Sequence, residues 1–223
     1  MQQLEFKRWI SWDDTNKGGK GMTGKTHLAV GTAATLFITQ PRTIKELVLA
    51  LGASMIGSII CDIDVSTSKS RKELNRILGL IIFILVIGIF VEYNWNIGIY
   101  NMIKRDTNIF RIIMGIFALG GVCIYGKDRP HRSFMHSILG VFSIGICTYI
   151  ILPDTVLYIV IAMMSHIVID LFNKKKVLLF YPLKKGISFD LCKSDGIVNG
   201  ILFKMFSLLL MIEVIYVLHI IIC

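Results

Sequence analysis

Residues 77–91 read ILGLIIFILVIGIFV, an apolar run without a single polar residue. A helix needs roughly 17–25 apolar residues to cross a bilayer core of about 30 Å. With its neighbours on either side the run reaches that length, so we predict a membrane-spanning helix at 76–93. Lipid is therefore the expected solvent for at least this part of the chain.

The same pattern recurs along the chain. A short apolar segment, 27–38, is compatible with a half-helix, a tilted span or a re-entrant segment. Charged residues make up only 17% of the chain, whereas a soluble domain carries roughly 25%. We expect an all-α, polytopic membrane helix bundle of six or seven helices within residues 22–223, preceded by a polar N-terminal extension at 1–21. The longer candidate spans, besides 76–93, are 44–61, 110–126, 136–152, 155–172 and 201–222.

Basic residues are distributed unevenly between the connections. If 27–38 crosses, the connections alternate between two sides, and one set holds only Arg42, Lys104 and Arg105. By the positive-inside rule the other, basic set is cytoplasmic. We therefore predict a multi-pass protein of the cell (inner) membrane with a cytoplasmic N-terminus. The net charge of +9 then reflects topology, and no nucleic-acid partner is expected. The basic connections are 1–26, 62–75, 127–135 and 173–200.

Most histidines and several aspartates fall at the cytoplasmic ends of these segments. His166 and Asp170 are one helical turn apart, so both can point at a common centre. Ionisable groups at membrane depth are costly and usually line a functional cavity. Alternation of the spans brings seven such residues to one face: His27, Asp62, Asp64, His131, His136, His166 and Asp170.

Imidazole and carboxylate groups together suit Zn, Mn or Fe. We predict that the seven residues hold one or two divalent ions, with any surplus groups supporting the direct ligands. Arg132 is predicted to neutralise developing charge, and Asp128 is a second candidate catalytic residue. Arg129 and Lys127 could help to hold an anionic substrate group.

Each motif also has a purely structural interpretation. A lone His-x-x-x-Asp pair is more often a structural hydrogen bond, Asp62 and Asp64 could form a turn, and the arginines could be topology anchors. The coincidence of several motifs on one face favours a shared metal site. Residues 19–26, GKGMTGKT, also fit the phosphate-binding loop pattern. No buried strand precedes them, so we interpret that match as chance.

The motifs together resemble those of the YdjM-type, LexA-regulated inner-membrane proteins, which are predicted to be metal-dependent hydrolases. One departure is Cys61, where the family usually has proline. The resemblance implies an active site built from the histidines and aspartates named above. The matching stretches are 22–27 (MTGKTH), 61–64 (CDID), 131–137 (HRSFMHS), 165–170 (SHIVID) and 178–183 (LLFYPL).

The expected function is metal-dependent hydrolysis of an ester or phosphoester, with a phospholipid as one candidate substrate and membrane lipid as the expected partner. A metal-binding transporter or sensor is the first alternative, and it would need a polar path across the membrane. The second alternative is a non-catalytic stress-response membrane protein in which the metal only stabilises the fold.

Overall fold

The structure, a computed structural model, describes residues 24–65, 90, 93, 107–191 and 197–222. The predicted extension 1–21 and, apart from Phe90 and Tyr93, the predicted span 76–93 lie outside these residues. The described part is all-helical, with one isolated antiparallel bridge between Val177 and Ile187, which confirms the all-α prediction. Its six α-helices are α1 (Gly24–Thr39), α2 (Ile44–Ile60), α3 (Thr107–Lys127), α4 (Ile138–Ile151), α5 (Val156–Leu171) and α6 (Ile197–Ile222).

Four helical segments are long and apolar enough to cross a membrane: Ile44–Asp64, Asn108–Lys127, Pro153–Leu171 and Ile197–Ile222. They correspond to four of the predicted spans. The other two described helices are shorter, with 16 residues in α1 and 14 in α4. At a rise of about 1.5 Å per residue, α4 covers about 21 Å, less than a full bilayer core. The described residues thus contain six helices, about four of which are long enough to span the membrane.

The predicted span 136–152 needs a correction at its start. Residues Phe134–His136 form a separate 3-10 turn, and α4 begins only at Ile138. Ser137 adopts an extended backbone, and its side chain accepts a hydrogen bond from the backbone N–H of Gly140. A serine with this backbone and this hydrogen bond is the N-cap of a new helix, so the 3-10 turn and α4 are separate elements. His136 is therefore in a turn and not in the first turn of a helix.

Contacts at both ends of the helices give their relative directions. Thr26 of α1 hydrogen-bonds Asn199 of α6, and Leu36 shares a cluster with Val217, so these two helices run parallel. The α1 hydroxyl of Thr35 lies 3.5 Å from the carbonyl oxygen of Tyr158. His27 stacks on His166, so α1 and α5 are antiparallel.

Small residues allow α2 and α5 to approach closely. A Cβ atom at Gly57 would lie 2.7 Å from the carbonyl oxygen of Ile159 and 3.0 Å from the Cβ of Ala162. Buried alanines, Ala53 and Ala162 among them, continue this contact. Close backbone approach through small residues is the usual means of helix association in lipid. The contact brings the end of α2 beside the last turn of α5.

Candidate metal centre

One end of the bundle collects all seven predicted ligands. His27 lies in the first turn of α1, while Asp62 and Asp64 lie in the 3-10 turn Cys61–Asp64 that extends α2. The connection between α3 and α4 contributes two histidines, and the last turns of α5 contribute a histidine and an aspartate. Three helices end here and two begin here. The helix ends, and not the helix centres, therefore build the site.

The ligand atoms form three overlapping groups, in each of which they lie within 4.8 Å of one another. His166 belongs to the first and second groups, and His136 belongs to the second and third. The three groups are therefore one continuous cluster. Their members are His27, His166 and Asp170; Asp62, His136 and His166; and Asp64, His131 and His136.

His166 has a defined orientation. Its Nδ1 lies 2.7 Å from the carbonyl oxygen of Ser58, and a carbonyl can only accept, so Nδ1 carries a proton and donates. Its Nε2 is buried and makes no hydrogen bond. That atom lies 3.5 Å from a carboxylate oxygen of Asp62 and 3.8 Å from one of Asp170. In the neutral ring a lone pair would face two anions, and this contact is unfavourable unless a cation lies between them.

His136 is flanked by two carboxylates. Its Nδ1 is 3.3 Å from Asp64 and its Nε2 is 3.2 Å from Asp170, yet neither nitrogen makes an aligned hydrogen bond. The ring is fully buried. Its position follows from the turn described above, because a Cβ at Gly140 would lie 2.2 Å from the carbonyl oxygen of Phe134. Glycine there lets the turn fold back onto α4 and carry His136 inward.

Asp170 is held by one of its two oxygens. Its Oδ1 accepts hydrogen bonds from Nη2 of Arg132 at 2.8 Å and from the side-chain amide of Asn173 at 2.9 Å. The other oxygen, Oδ2, faces His136 and His166. A carboxylate anchored through one oxygen presents the other in a fixed direction, which is how supporting residues orient metal ligands.

Arg132 is buried and ties three segments together. Besides Asp170, its guanidinium donates to the carbonyl oxygen of Lys175 at 2.8 Å. Its own backbone N–H donates to Asp64 at 3.2 Å, and its carbonyl accepts from the N–H of Leu178. These contacts let Arg132 position two of the candidate ligands, Asp64 and Asp170. The predicted role, in which Arg132 faces a substrate, stays a prediction.

The remaining predicted residues differ in exposure. The His131 side chain is 27% exposed and that of Asp62 is 23% exposed, whereas those of His27, His136, His166 and Asp170 are at most 3% exposed. The cluster thus opens towards solvent on the side of His131 and Asp62. Asp128 is exposed and belongs to none of the three groups.

Sequence reasoning missed two supporting contacts. The carbonyl of Ser58 leaves no signal in a sequence, because every residue has one. Asn173 is three residues after Asp170, a spacing at which side chains on a continuing turn can meet. The spacing of Asp170 and Asn173 was the one sign of this contact in the sequence, and spacing alone does not predict a hydrogen bond.

The charges in the cluster test whether a metal fits. Asp62, Asp64 and Asp170 supply three negative charges, and Arg132 supplies one positive charge. With the histidines in the neutral form that binds metals, two negative charges are left uncompensated in a largely buried site, which is costly. One divalent cation would balance them, and the unpartnered nitrogens of His136 and His166 would face it. The donor set therefore fits a divalent ion by charge and by chemistry.

The comparisons with known proteins give one match. A sequence model of the YdjM inner membrane protein family matches residues 22–223, a range that includes all seven candidate ligands. No curated protein and no solved structure matches the chain.

Proposed function

The chain belongs to the YdjM inner membrane protein family, and from that starting point we propose that it is a membrane-bound metal-dependent hydrolase. An ester or phosphoester presented at the membrane surface, such as a phospholipid, is the substrate class that fits best. The observation that carries the proposal is the orientation of His166, whose unpartnered nitrogen faces two carboxylates in a buried site. A cation between them converts an unfavourable contact into a ligand set.

The charge balance favours one resident divalent ion, with Zn, Mn and Fe as the candidates. A second divalent ion would leave an excess of two positive charges in the same buried volume. Two ions therefore fit only together with added anionic charge, such as that of a bound phosphate group. The members with side chains at most 3% exposed are the proposed inner ligands: His27, Asp64, His136, His166 and Asp170.

When bound, a divalent ion supplies Lewis-acid chemistry, since it polarises a carbonyl or phosphoryl oxygen and lowers the pKa of a water molecule. The protein supplies proton transfer and positioning. Asp62 and His131 are the partly exposed members of the cluster, so they are the proposed groups for moving a proton to or from a substrate. Arg132 and Asn173 hold Asp170 in its ligand orientation. Asp128 has no place in this mechanism.

The hydroxyl groups buried in the helix interfaces give no support for a transporter. Thr35, Ser54 and Ser58 are buried between the helices, which could suggest a polar path. Each hydroxyl donates to a carbonyl three or four residues earlier in its own helix. Hydroxyls satisfied in this way are accommodated by the backbone of their own helix, so their burial does not require a polar path. Transport through these interfaces is therefore the weaker proposal.

The test is a metal and activity analysis of the purified full-length protein. His166→Ala should lower the bound metal from about one ion per chain to a trace, because this residue belongs to two of the three ligand groups. Hydrolysis of a short-chain phospholipid or of a chromogenic phosphoester should fall with it. Elemental analysis measures the metal, and product release measures the activity.

Two matched variants control for loss of a histidine or an aspartate as such. His219→Ala removes an exposed histidine in α6, and Asp154→Ala removes an exposed aspartate paired with Lys45. Both should keep the metal and the activity. Full metal content in His166→Ala would refute the ligand assignment, and a metal-loaded wild-type protein without activity on any ester would refute hydrolysis.

A further inference from the structure

We propose that Arg129, Tyr125 and Tyr181 form a binding site for the phosphate group of a membrane phospholipid, beside the metal centre. The lipid site itself does not depend on the proposed function. Only the statement that the bound phospholipid is also the substrate rests on it. The site is built from one cation and two phenol groups, and none of the three belongs to the metal centre.

Aromatic contacts fix the cation in place. The guanidinium carbon of Arg129 lies 4.1 Å from the centroid of the Tyr125 ring, a cation–π contact. The hydroxyl oxygens of Tyr125 and Tyr181 are 2.9 Å apart. Phe134 packs edge-on against both rings, with centroid distances of 5.0 and 5.7 Å. The guanidinium of Arg129 therefore lies against a cluster of three aromatic rings.

The cation retains unused donors. Nε of Arg129 is buried and makes no hydrogen bond, and no carboxylate among the described residues pairs with this arginine. A buried charged donor without an acceptor is costly. An anionic ligand would relieve that cost, and the planar fork of arginine suits the paired oxygens of a phosphate. In contrast, Arg132 already uses both terminal nitrogens within the protein.

The tyrosines add a neutral donor. Only one of their two hydroxyl protons is needed for the bond between them, so the other can be donated to a ligand. The hydrogen bond with Tyr125, together with burial, raises the pKa of Tyr181, although Arg129 lowers it in part. The phenol therefore stays protonated at neutral pH and can donate.

The position of these residues identifies the source of the phosphate as a lipid. Tyr125 lies in the last turn of the span Asn108–Lys127, the level at which aromatic residues meet the headgroups. Arg129 is two residues from His131, so their Cα atoms lie within about 7 Å of each other. His131 is the exposed edge of the metal centre. A headgroup held by Arg129 is therefore next to the proposed reacting groups.

The test is direct lipid binding to the purified full-length protein in detergent, measured by titration with dihexanoylphosphatidylglycerol. Arg129→Gln should weaken binding at least about tenfold, the usual effect of losing a charged hydrogen-bonding partner. Arg129→Lys should fall between wild type and Arg129→Gln, because a point charge lacks the fork. Tyr181→Phe keeps the ring, and so the packing, and should weaken binding about fivefold.

Controls separate this site from general effects of charge and from free phosphate. Arg42→Gln removes an exposed arginine from the connection between α1 and α2, and it should bind lipid as wild type does. Dihexanoylglycerol, which lacks the phosphate, should bind the wild-type protein and Arg129→Gln with the same affinity. Inorganic phosphate that binds as tightly as the short-chain lipid would overturn the assignment to a lipid.

The outcomes also separate this inference from the proposed function. If both Arg129→Gln and Tyr181→Phe bind the lipid within twofold of wild type, the inference is refuted, even if the protein carries metal and hydrolyses esters. If lipid binding depends on Arg129 but no metal is found, the proposed function is refuted and the lipid site stands.

Discussion

Arg132 shows how much of the candidate metal centre depends on one residue. Its backbone φ is 64°, the left-handed region that non-glycine residues rarely adopt. That conformation costs about 1–2 kcal/mol. It lets the backbone N–H reach Asp64 while the side chain reaches Asp170. Two candidate ligand aspartates from different helices are thus held by a single residue, and the contacts offset the strain.

Replacing Arg132 should therefore weaken metal binding directly, and any loss of hydrolysis should follow from the weaker metal binding. We expect Arg132→Ala to weaken metal affinity about 10- to 100-fold, the usual effect of removing a residue that orients a ligand. Competition with a chelator of known affinity measures the change. Arg42→Ala, at an exposed position, should leave the affinity unchanged. Wild-type affinity in Arg132→Ala would mean that Asp170 keeps its orientation without this arginine.

At the scale of the elements, the close contact of α2 and α5 determines the geometry of the centre. The backbone carbonyl of Ser58 accepts the hydrogen bond that orients His166, and Ser58 follows Gly57, a point of close approach between α2 and α5. A larger residue at 57 would push the helices apart and separate the carbonyl from the imidazole. Helix packing in this protein therefore sets the direction of a ligand nitrogen.

Gly57→Ala should lower the stability of the protein by about 1–3 kcal/mol, because packed cores accommodate extra atoms poorly. Metal affinity should fall as well, since the Ser58 carbonyl moves. Gly52→Ala is the matched control on the same helix, where an added Cβ would meet nothing within 4 Å. That variant should be neutral or slightly stabilising, by up to about 1 kcal/mol. Thermal unfolding in detergent with and without metal distinguishes the two, and equal melting temperatures would contradict the packing argument.

At the scale of the whole molecule, alternation of helix direction explains why distant segments meet. α1 and α6 run one way and α5 runs the other, and the ends of α2, α3 and α5 lie at the metal centre. Most side chains of α6 are exposed, with only Glu213 and Val217 of this helix buried. In lipid such an apolar surface is compatible with a stable fold. The side of the membrane that the metal centre faces stays a prediction.

That prediction can be tested by cysteine labelling in a cysteine-free background. Because the positive-inside rule places the basic connections in the cytoplasm, Lys184→Cys should resist an impermeant maleimide applied from outside the inner membrane and react once the membrane is opened. Arg42→Cys, in a connection of the opposite set, should react from outside in intact cells with a permeable outer membrane. Labelling of Lys184→Cys from outside would reverse the proposed orientation.

The sequence by itself determined the class of fold and predicted which residues lie together in the candidate metal centre. Membrane spans depend on local apolar length, so 44–61, 110–126, 155–172 and 201–222 could be predicted without any tertiary information. Alternation of spans then placed seven histidines and aspartates at one end. This inference needed only the parity of the crossings, and the clustered ligand groups of the structure agree with it.

Only the tertiary structure decided how these groups are used. The partner of Arg132, the carbonyl that orients His166, and the exposure of His131 and Asp62 all depend on side-chain directions across segments far apart in the chain. The start of α4 after His136 depended on the capping geometry of Ser137 and on the room left by Gly140. Backbone carbonyls are the same at every residue, and apolar helices have no strong preference for one rotation over another. Which groups meet is therefore set by packing, and packing is a property of the whole bundle.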